Sequence, residues 1–213
     1  MVIQPKLSLE ICAPAKIALS IAHALYSKGA EYKNINEYDY SLSLSLLLRD
    51  LLEKNAFEVK LFDKSLEMKS KSDYSQACLE NISNINKWRP DLTLEIHLNA
   101  VDISTKTNKE LLSLSENFAN YGEYLYFGKS KAFAQKLEDS FRQIFKIRQS
   151  TRALRKKENG YFFVNGVMGC CVLAEPFFIN RESHHKILSS ELEKNKIVNC
   201  FYNAIEDYTY NYV

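Results

Sequence analysis

Two histidines and a glutamate, His23, Glu37 and His97, have the types and placement to hold a metal ion, and a second glutamate, Glu175, could move a proton beside it. The chain has four histidines in all, so each can be weighed singly. His23 lies just past an apolar run over residues 15–21, and His97 lies near the end of another over 92–98. In an open α/β sheet, ligands bind in the crevice beyond the carboxyl ends of the strands, so both positions are site-like. Glu37 follows His23 by 14 residues and opens a strongly apolar helical stretch. Two imidazoles and a carboxylate fill three positions of a tetrahedral zinc and leave the fourth to water, as hydrolytic sites require. Glu175 ends an apolar run and precedes Pro176 and two phenylalanines. Partial desolvation there raises a carboxyl pKa toward values useful for proton transfer. Plainer readings stand beside each: structural histidines at strand ends, Glu37 complementing a helix dipole for about 0.3–1 kcal/mol, and Glu175 facing solvent.

The elements that must position these residues follow from hydrophobic periodicity. Residues 15–21 read as a buried strand, and a loop containing Gly29 follows. Residues 38–54 carry apolar side chains at 40, 44, 47, 48, 51 and 52, the stripe of an amphipathic helix, with Asn36 as its cap. Residues 57–62 alternate as a strand. Residues 73–88 are helical until Pro90 stops them, and 92–98 form the next strand. Residues 101–120 show no strong period and read as an excursion. Residues 123–127 are strand-like, and Ser130 caps a helix burying Phe133, Leu137, Phe141 and Ile144. Residues 162–164 and 170–174 have strand length, and 191–208 form a closing helix. Strands alternating with helices predict an α/β fold with a largely parallel mixed sheet and helices on both faces. No linker or repeat divides the chain, which predicts one catalytic domain over residues 1–213, its core about 15–210, with no separate binding domain.

Composition limits the partners. The chain of 213 residues is 46% hydrophobic and 25% charged with a net charge of +2, the balance of a globular protein. That charge is too small to argue for nucleic acid, no partner of that kind is expected, and the basic stretch 152–157 reads as a solvated loop. Five cysteines without a CxxC pair argue against a zinc knot and a disulfide framework. The adjacent Cys170 and Cys171 read as buried thiols. No stretch reaches the roughly 20 apolar residues of a membrane span. Residues 7–21 are interrupted by Glu10, Pro14 and Lys16, so neither a signal peptide nor a membrane anchor is expected. His184 and His185 read as surface residues.

Four segments together carry a family resemblance. The stretch IALSIAHALYSKGA, continuing EYKNINEYDYSLSLSLLLRDLL, sets out His23, Gly29-Ala30 and Glu37. DLTLEIHLNA holds His97, Asn99 and Ala100, and VLAEPFFINRE holds Glu175, Asn180 and Glu182. In order and spacing these resemble the zinc-dependent N-acetylmuramoyl-L-alanine amidases called Amidase_3, from about Ile17 to Tyr208. The sequence departs from that pattern at Ala22 and Ala24, where the family has glycines, and at Glu95, where it commonly has serine. The arginines usual after the second strand are not apparent over 63–73.

The resemblance implies one zinc ion on His23, Glu37 and His97, and Glu175 as the catalytic acid–base. It implies peptidoglycan as substrate, with the N-acetylmuramic acid–L-alanine amide as the bond cut. Glu95, Asn99 and Asn180 are candidate substrate contacts. A strand's two-residue period puts Glu95 on the same face as His97, so it is equally a candidate partner of that ligand, or a plain edge carboxylate. A single-domain, monomeric wall hydrolase made in the cytoplasm resembles a phage or prophage endolysin. The rival readings are a zinc peptidase cutting the stem peptide and a catalytically silent wall-binding or activator protein.

Overall fold

The computed structural model describes residues 13–114, 119–154 and 162–213. Successive side chains of a strand point to opposite faces of the sheet, and the central strands are buried on both because helices cover each face. The main sheet comprises β1 (Lys16–Ile21), β4 (Glu58–Phe62), β5 (Leu92–Ile96), β6 (Tyr121–Tyr126), β7 (Arg148–Ala153) and β8 (Cys170–Glu175). The short strands β2 (Glu31–Tyr32) and β3 (Ile35–Asn36) pair separately as a hairpin. The main sheet runs in the order β4-β1-β5-β8-β6-β7. Every pairing is parallel except β6 with β8, so the sheet is mixed and largely parallel, as expected.

The helices are α1 (Glu37–Lys54), α2 (Tyr74–Trp88), α3 (Lys106–Leu114), α4 (Lys131–Ile144), α5 (Phe162–Gly166), α6 (Glu182–Leu188) and α7 (Glu191–Tyr212). Ile17, Leu19, Leu92, Leu94, Val172 and Ala174 face a core shared with α1, α4 and α7. Ala18, Cys171 and Leu173 face the opposite side, packed with Ile82 and Ile85 of α2 and Phe163 and Val164 of α5. Leu44, Leu48 and Leu52, four residues apart, lie on the buried side of α1. Truncating a buried leucine of this kind to alanine typically costs about 2–5 kcal/mol. The Asn36 side chain accepts from Asp39 N at 2.9 Å, the expected cap.

Several expectations are corrected. Residues 162–166 form a helix rather than a strand, because Phe163, Val164 and Val167 have the spacing of one helical face and all enter the core. Asn86 fastens this element by donating to Gly166 O and accepting from Met168 N. The excursion contains α3 over Lys106–Leu114; residues 115–118 lie outside the described ones. Ser130 stands at the N-cap of α4 as expected but makes no capping bond, since its hydroxyl accepts from Cys171 N at 2.9 Å instead. The polar strand β7 (RQSTRA) has no apolar pattern to announce it: an edge strand needs no apolar run, and its ladder is made by the backbone. Arg152 lies in β7 and pairs with Glu123 at 3.2 Å, and residues 155–157 of the basic stretch lie outside the described residues.

His184 and His185 belong to α6 and are buried, not surface residues. His184 is 0% exposed and accepts from Phe178 N at Nδ1 (2.9 Å), with Nε2 2.9 Å from Asn120 Oδ1. Protonating Nδ1 would set one N–H against another, and burial, with the Arg181 charge, lowers its pKa to about 4. The folded pKa lies below the ordinary 6.5, so the unfolded chain takes up a proton first as pH falls. Stability is therefore complete above about 6.5 and declines toward pH 4, by up to ~3 kcal/mol from this group. Urea titrations at pH 7 and 5 should show this loss, and His184→Gln should lack that share of it. An identical pH slope in the variant would refute the assignment.

Candidate metal and catalytic site

The chain leaving β1 must turn sharply where it reaches the carboxyl edge of the sheet. Ala22 N donates to Ser41 Oγ of α1 at 3.0 Å, and that hydroxyl donates to Ile96 O of β5 at 2.7 Å. The ends of β1 and β5 are thereby tied together through one serine. His23 itself takes the left-handed conformation, with φ 57°. Non-glycine residues occupy that region at a cost and only when their surroundings hold them. Ala22 and Ala24 are both fully buried. This accounts for alanines where the resemblance leads one to expect glycines: the residue that bends is the histidine, and its neighbours need only be small.

Glu37 opens α1 and reaches back over the loop. Its Oε2 accepts from Ala30 N at 3.1 Å and lies 2.9 Å from His23 Nε2. Its Oε1 accepts from Leu98 N at 3.0 Å and lies 2.8 Å from His97 Nδ1. Gly29, with φ 76°, passes beside this group. A Cβ there would stand 2.4 Å from His23 Cδ2 and 2.6 Å from Glu37 Oε2, so glycine is required by both conformation and space. His97 lies just beyond β5, where its N–H donates to Ala174 O of β8 at 2.8 Å.

His23, Glu37 and His97 therefore converge: each offers one ligand atom, and these atoms all lie within 4.8 Å of one another. The donor set of two imidazoles and one carboxylate fits zinc with an open position. Burial disfavours the Glu37 charge, but hydrogen bonds from His23 and His97 outweigh it and hold its pKa well below the carboxylate range. Burial likewise opposes charge on His97, yet Glu95 and Glu37 beside it push its pKa up to about 10. A metal entering here has to displace that proton, so its affinity falls with falling pH.

Glu175 ends β8 outside the ligand cluster, and Asn99 Nδ2 donates to its Oε2 at 3.1 Å. Asn99 is placed by bonds from its own N–H to Phe177 O and from Ile179 N to its carbonyl, both 2.8 Å. Burial is the main cause that raises Glu175 to about 7; Glu37 and Glu123 add to the rise, against His97 and Arg152. A carboxyl poised there can take and return a proton near neutral pH. Asn180 uses both ends of its amide on the Val101 backbone, at 3.1 and 2.7 Å, and so clamps the segment that carries Asn99. Glu95 is buried, with one oxygen on Lys64 and the other 3.2 Å from His97 Nε2. Sequence reasoning missed Ser41 and Lys64. Ser41 follows Glu37 by one helical turn, which is a faint signal; a lysine after a strand gives none, because it ordinarily faces solvent.

Comparison with known proteins supplies the family. The chain has a fold similar to the CwlD amidase from Clostridioides difficile, solved in complex with the GerS lipoprotein (21% identity, TM-score 0.74, 92% of this chain and 99% of that one). It is likewise similar to the amidase AmiC2 of Nostoc punctiforme (16% identity, TM-score 0.73, 92% and 97%). The catalytic domain of the CD27L endolysin, which targets Clostridia difficile, gives 21% identity and TM-score 0.70 over 91% and 97%. No curated protein sequence matches significantly. The Amidase_3 family model, described as N-acetylmuramoyl-L-alanine amidase, matches residues 17–207. That span covers most of the chain and every residue of the site, and the chain therefore belongs to the N-acetylmuramoyl-L-alanine amidase family, enzymes of peptidoglycan amide hydrolysis.

Proposed function

We propose that the chain cleaves the amide between the lactyl group of N-acetylmuramic acid and L-alanine, using one zinc ion held by His23, Glu37 and His97. The observation that carries this reading is the convergence of those three side chains within 4.8 Å, beside a glutamate whose pKa stands at about 7. When bound, zinc supplies Lewis acidity, polarising the scissile carbonyl and acidifying water. The chain's own residues do the rest. Glu37 grips both histidines and two backbone N–H groups, so the ligand geometry is set before any metal arrives. Glu175 takes the proton of the attacking water at its carboxylate and returns it to the leaving amine of alanine. Asn99 keeps that carboxylate turned to the site, and Asn180 holds Asn99 in place.

Its substrate is the peptidoglycan of the wall, and no described helix is long and apolar enough to cross a membrane. Mass spectrometry of peptidoglycan digests tests the reaction. The expected products are intact glycan and stem peptides with a free N-terminal L-alanine, absent when a chelator is present. Cuts within the stem peptide would make the protein a peptidase instead. No release from any peptidoglycan by the zinc-replete protein would sink the catalytic reading.

A further inference from the structure

Behind His97 lies a set of buried polar groups that the reaction above does not use. Glu95 of β5 and Lys64, on the short 3-10 turn Lys64–Glu67 after β4, are each 2% exposed and pair at 2.6 Å. Lys64 Nζ also donates to Ile21 O, the last residue of β1, at 2.5 Å. Glu95 Oε1 accepts a second bond, from Ser20 Oγ at 3.1 Å, and that hydroxyl accepts from Asn81 Nδ2 of α2 at 3.1 Å. Glu95 Oε2 points the other way and lies 3.2 Å from His97 Nε2. The second ring nitrogen, Nδ1, is the one 2.8 Å from Glu37 within the ligand cluster.

Stability alone is a poor reason for this arrangement. Removing two charges from water costs several kcal/mol each, and replacing a buried ion pair by apolar residues is often neutral or stabilising. Its position offers a better one. A neutral imidazole carries its proton on one nitrogen and a lone pair on the other, and the hydrogen-bond partner of the first decides which is which. We propose that Glu95, locked by Lys64, is a positioning residue that keeps the His97 proton on Nε2 and so presents the Nδ1 lone pair to the metal. Lys64 and Ser20 hold Oε1, so the carboxylate cannot rotate away from the ring. Lys64 also balances the Glu95 charge, which spares the site a second uncompensated carboxylate beside Glu37. A family pattern with serine at this position has no such charge to balance. The inference rests on the zinc reading of the site.

Zinc affinity measured by chelator competition, together with the melting temperature, tests it in two neutralised pairs. Glu95→Leu with Lys64→Met removes the acceptor at Nε2, and the expected result is about 10–100-fold weaker zinc binding with the fold retained. Glu95→Gln with Lys64→Met leaves an uncharged acceptor, and a smaller loss is expected, several-fold. A purely structural pair would move the melting temperature and leave the affinity of the folded variant unchanged. Long-range 1H–15N spectra of the zinc-loaded parent should show His97 coordinated through Nδ1 with its proton on Nε2. Affinity within twofold of the parent in the folded leucine variant, or coordination through Nε2 in the parent, overturns the inference. Should the leucine variant not fold, the glutamine variant decides by the same twofold criterion. A parent that takes up no zinc would overturn the metal reading itself, whereas normal uptake with unaffected variants sinks only the positioning role.

Discussion

Glu175→Gln should lower kcat by about 10²–10⁴-fold, the usual contribution of a positioned general acid–base, while zinc stays bound at one ion per chain. Glutamine preserves the shape and can still accept from Asn99, so the loss isolates proton transfer from packing. The pH profile gives a second, independent reading. Glu175 must be ionised to accept the water's proton, and in this structure its pKa is raised to about 7, chiefly by burial. The rate should therefore fall as pH drops through that value, about tenfold per unit below it. Around the carboxyl stand His97 and Arg152, which favour its charge, and Glu37 and Glu123, which oppose it. A cation held by the three ligands favours the charge further, so the limb lies at or below pH 7. The residual activity of Glu175→Gln should lack this limb. A variant with near-parent kcat on purified peptidoglycan, or one that keeps the same acidic limb, would remove Glu175 from the mechanism.

Glu37→Ala is expected to abolish stoichiometric zinc binding and turnover together, and also to destabilise the metal-free fold by about 2–5 kcal/mol. The reason is that Glu37 does more than offer a ligand atom. Its two oxygens accept from Ala30 N and Leu98 N and lie against His23 and His97. Truncation leaves two backbone donors and two imidazoles without their acceptor in a site where Glu37 itself is 4% exposed. Glu37→Gln separates the two roles: it keeps an acceptor and most of the stability, but supplies no anionic ligand. Urea unfolding of the metal-free proteins and metal analysis after zinc loading distinguish these outcomes. Unchanged stability in Glu37→Ala would show that the site is not organised by this carboxylate.

Much of the fold follows from periodicities that the chain carries locally. The leucines of α1 recur every four residues, the strands β1, β5 and β8 are short apolar runs, and Asn36 caps its helix as its type predicts. Local pattern fails where burial comes from outside the segment. β7 is polar because it is an edge strand held by its backbone ladder, and α5 is too short for its period to be told from a strand. His184 gives no sign of burial until the turn after β8 folds over it and offers Phe178 N as its donor.

The site divides in the same way. His23, Glu37, His97 and Glu175 were legible by type, by scarcity and by their places at element ends, and their order along the chain carried the family. Their number along the sequence could not say what holds them. Only the tertiary structure decided that His23 itself bends the first loop, that Gly29 is required by the His23 and Glu37 side chains it passes, and that Asn180 acts on the backbone. It also decided that Glu95 is buried against Lys64, a residue 31 positions away. The reason is physical: a ligand's identity is local chemistry, whereas its orientation and charge are set by neighbours that the sheet register brings alongside, as Ser20 is brought opposite Glu95.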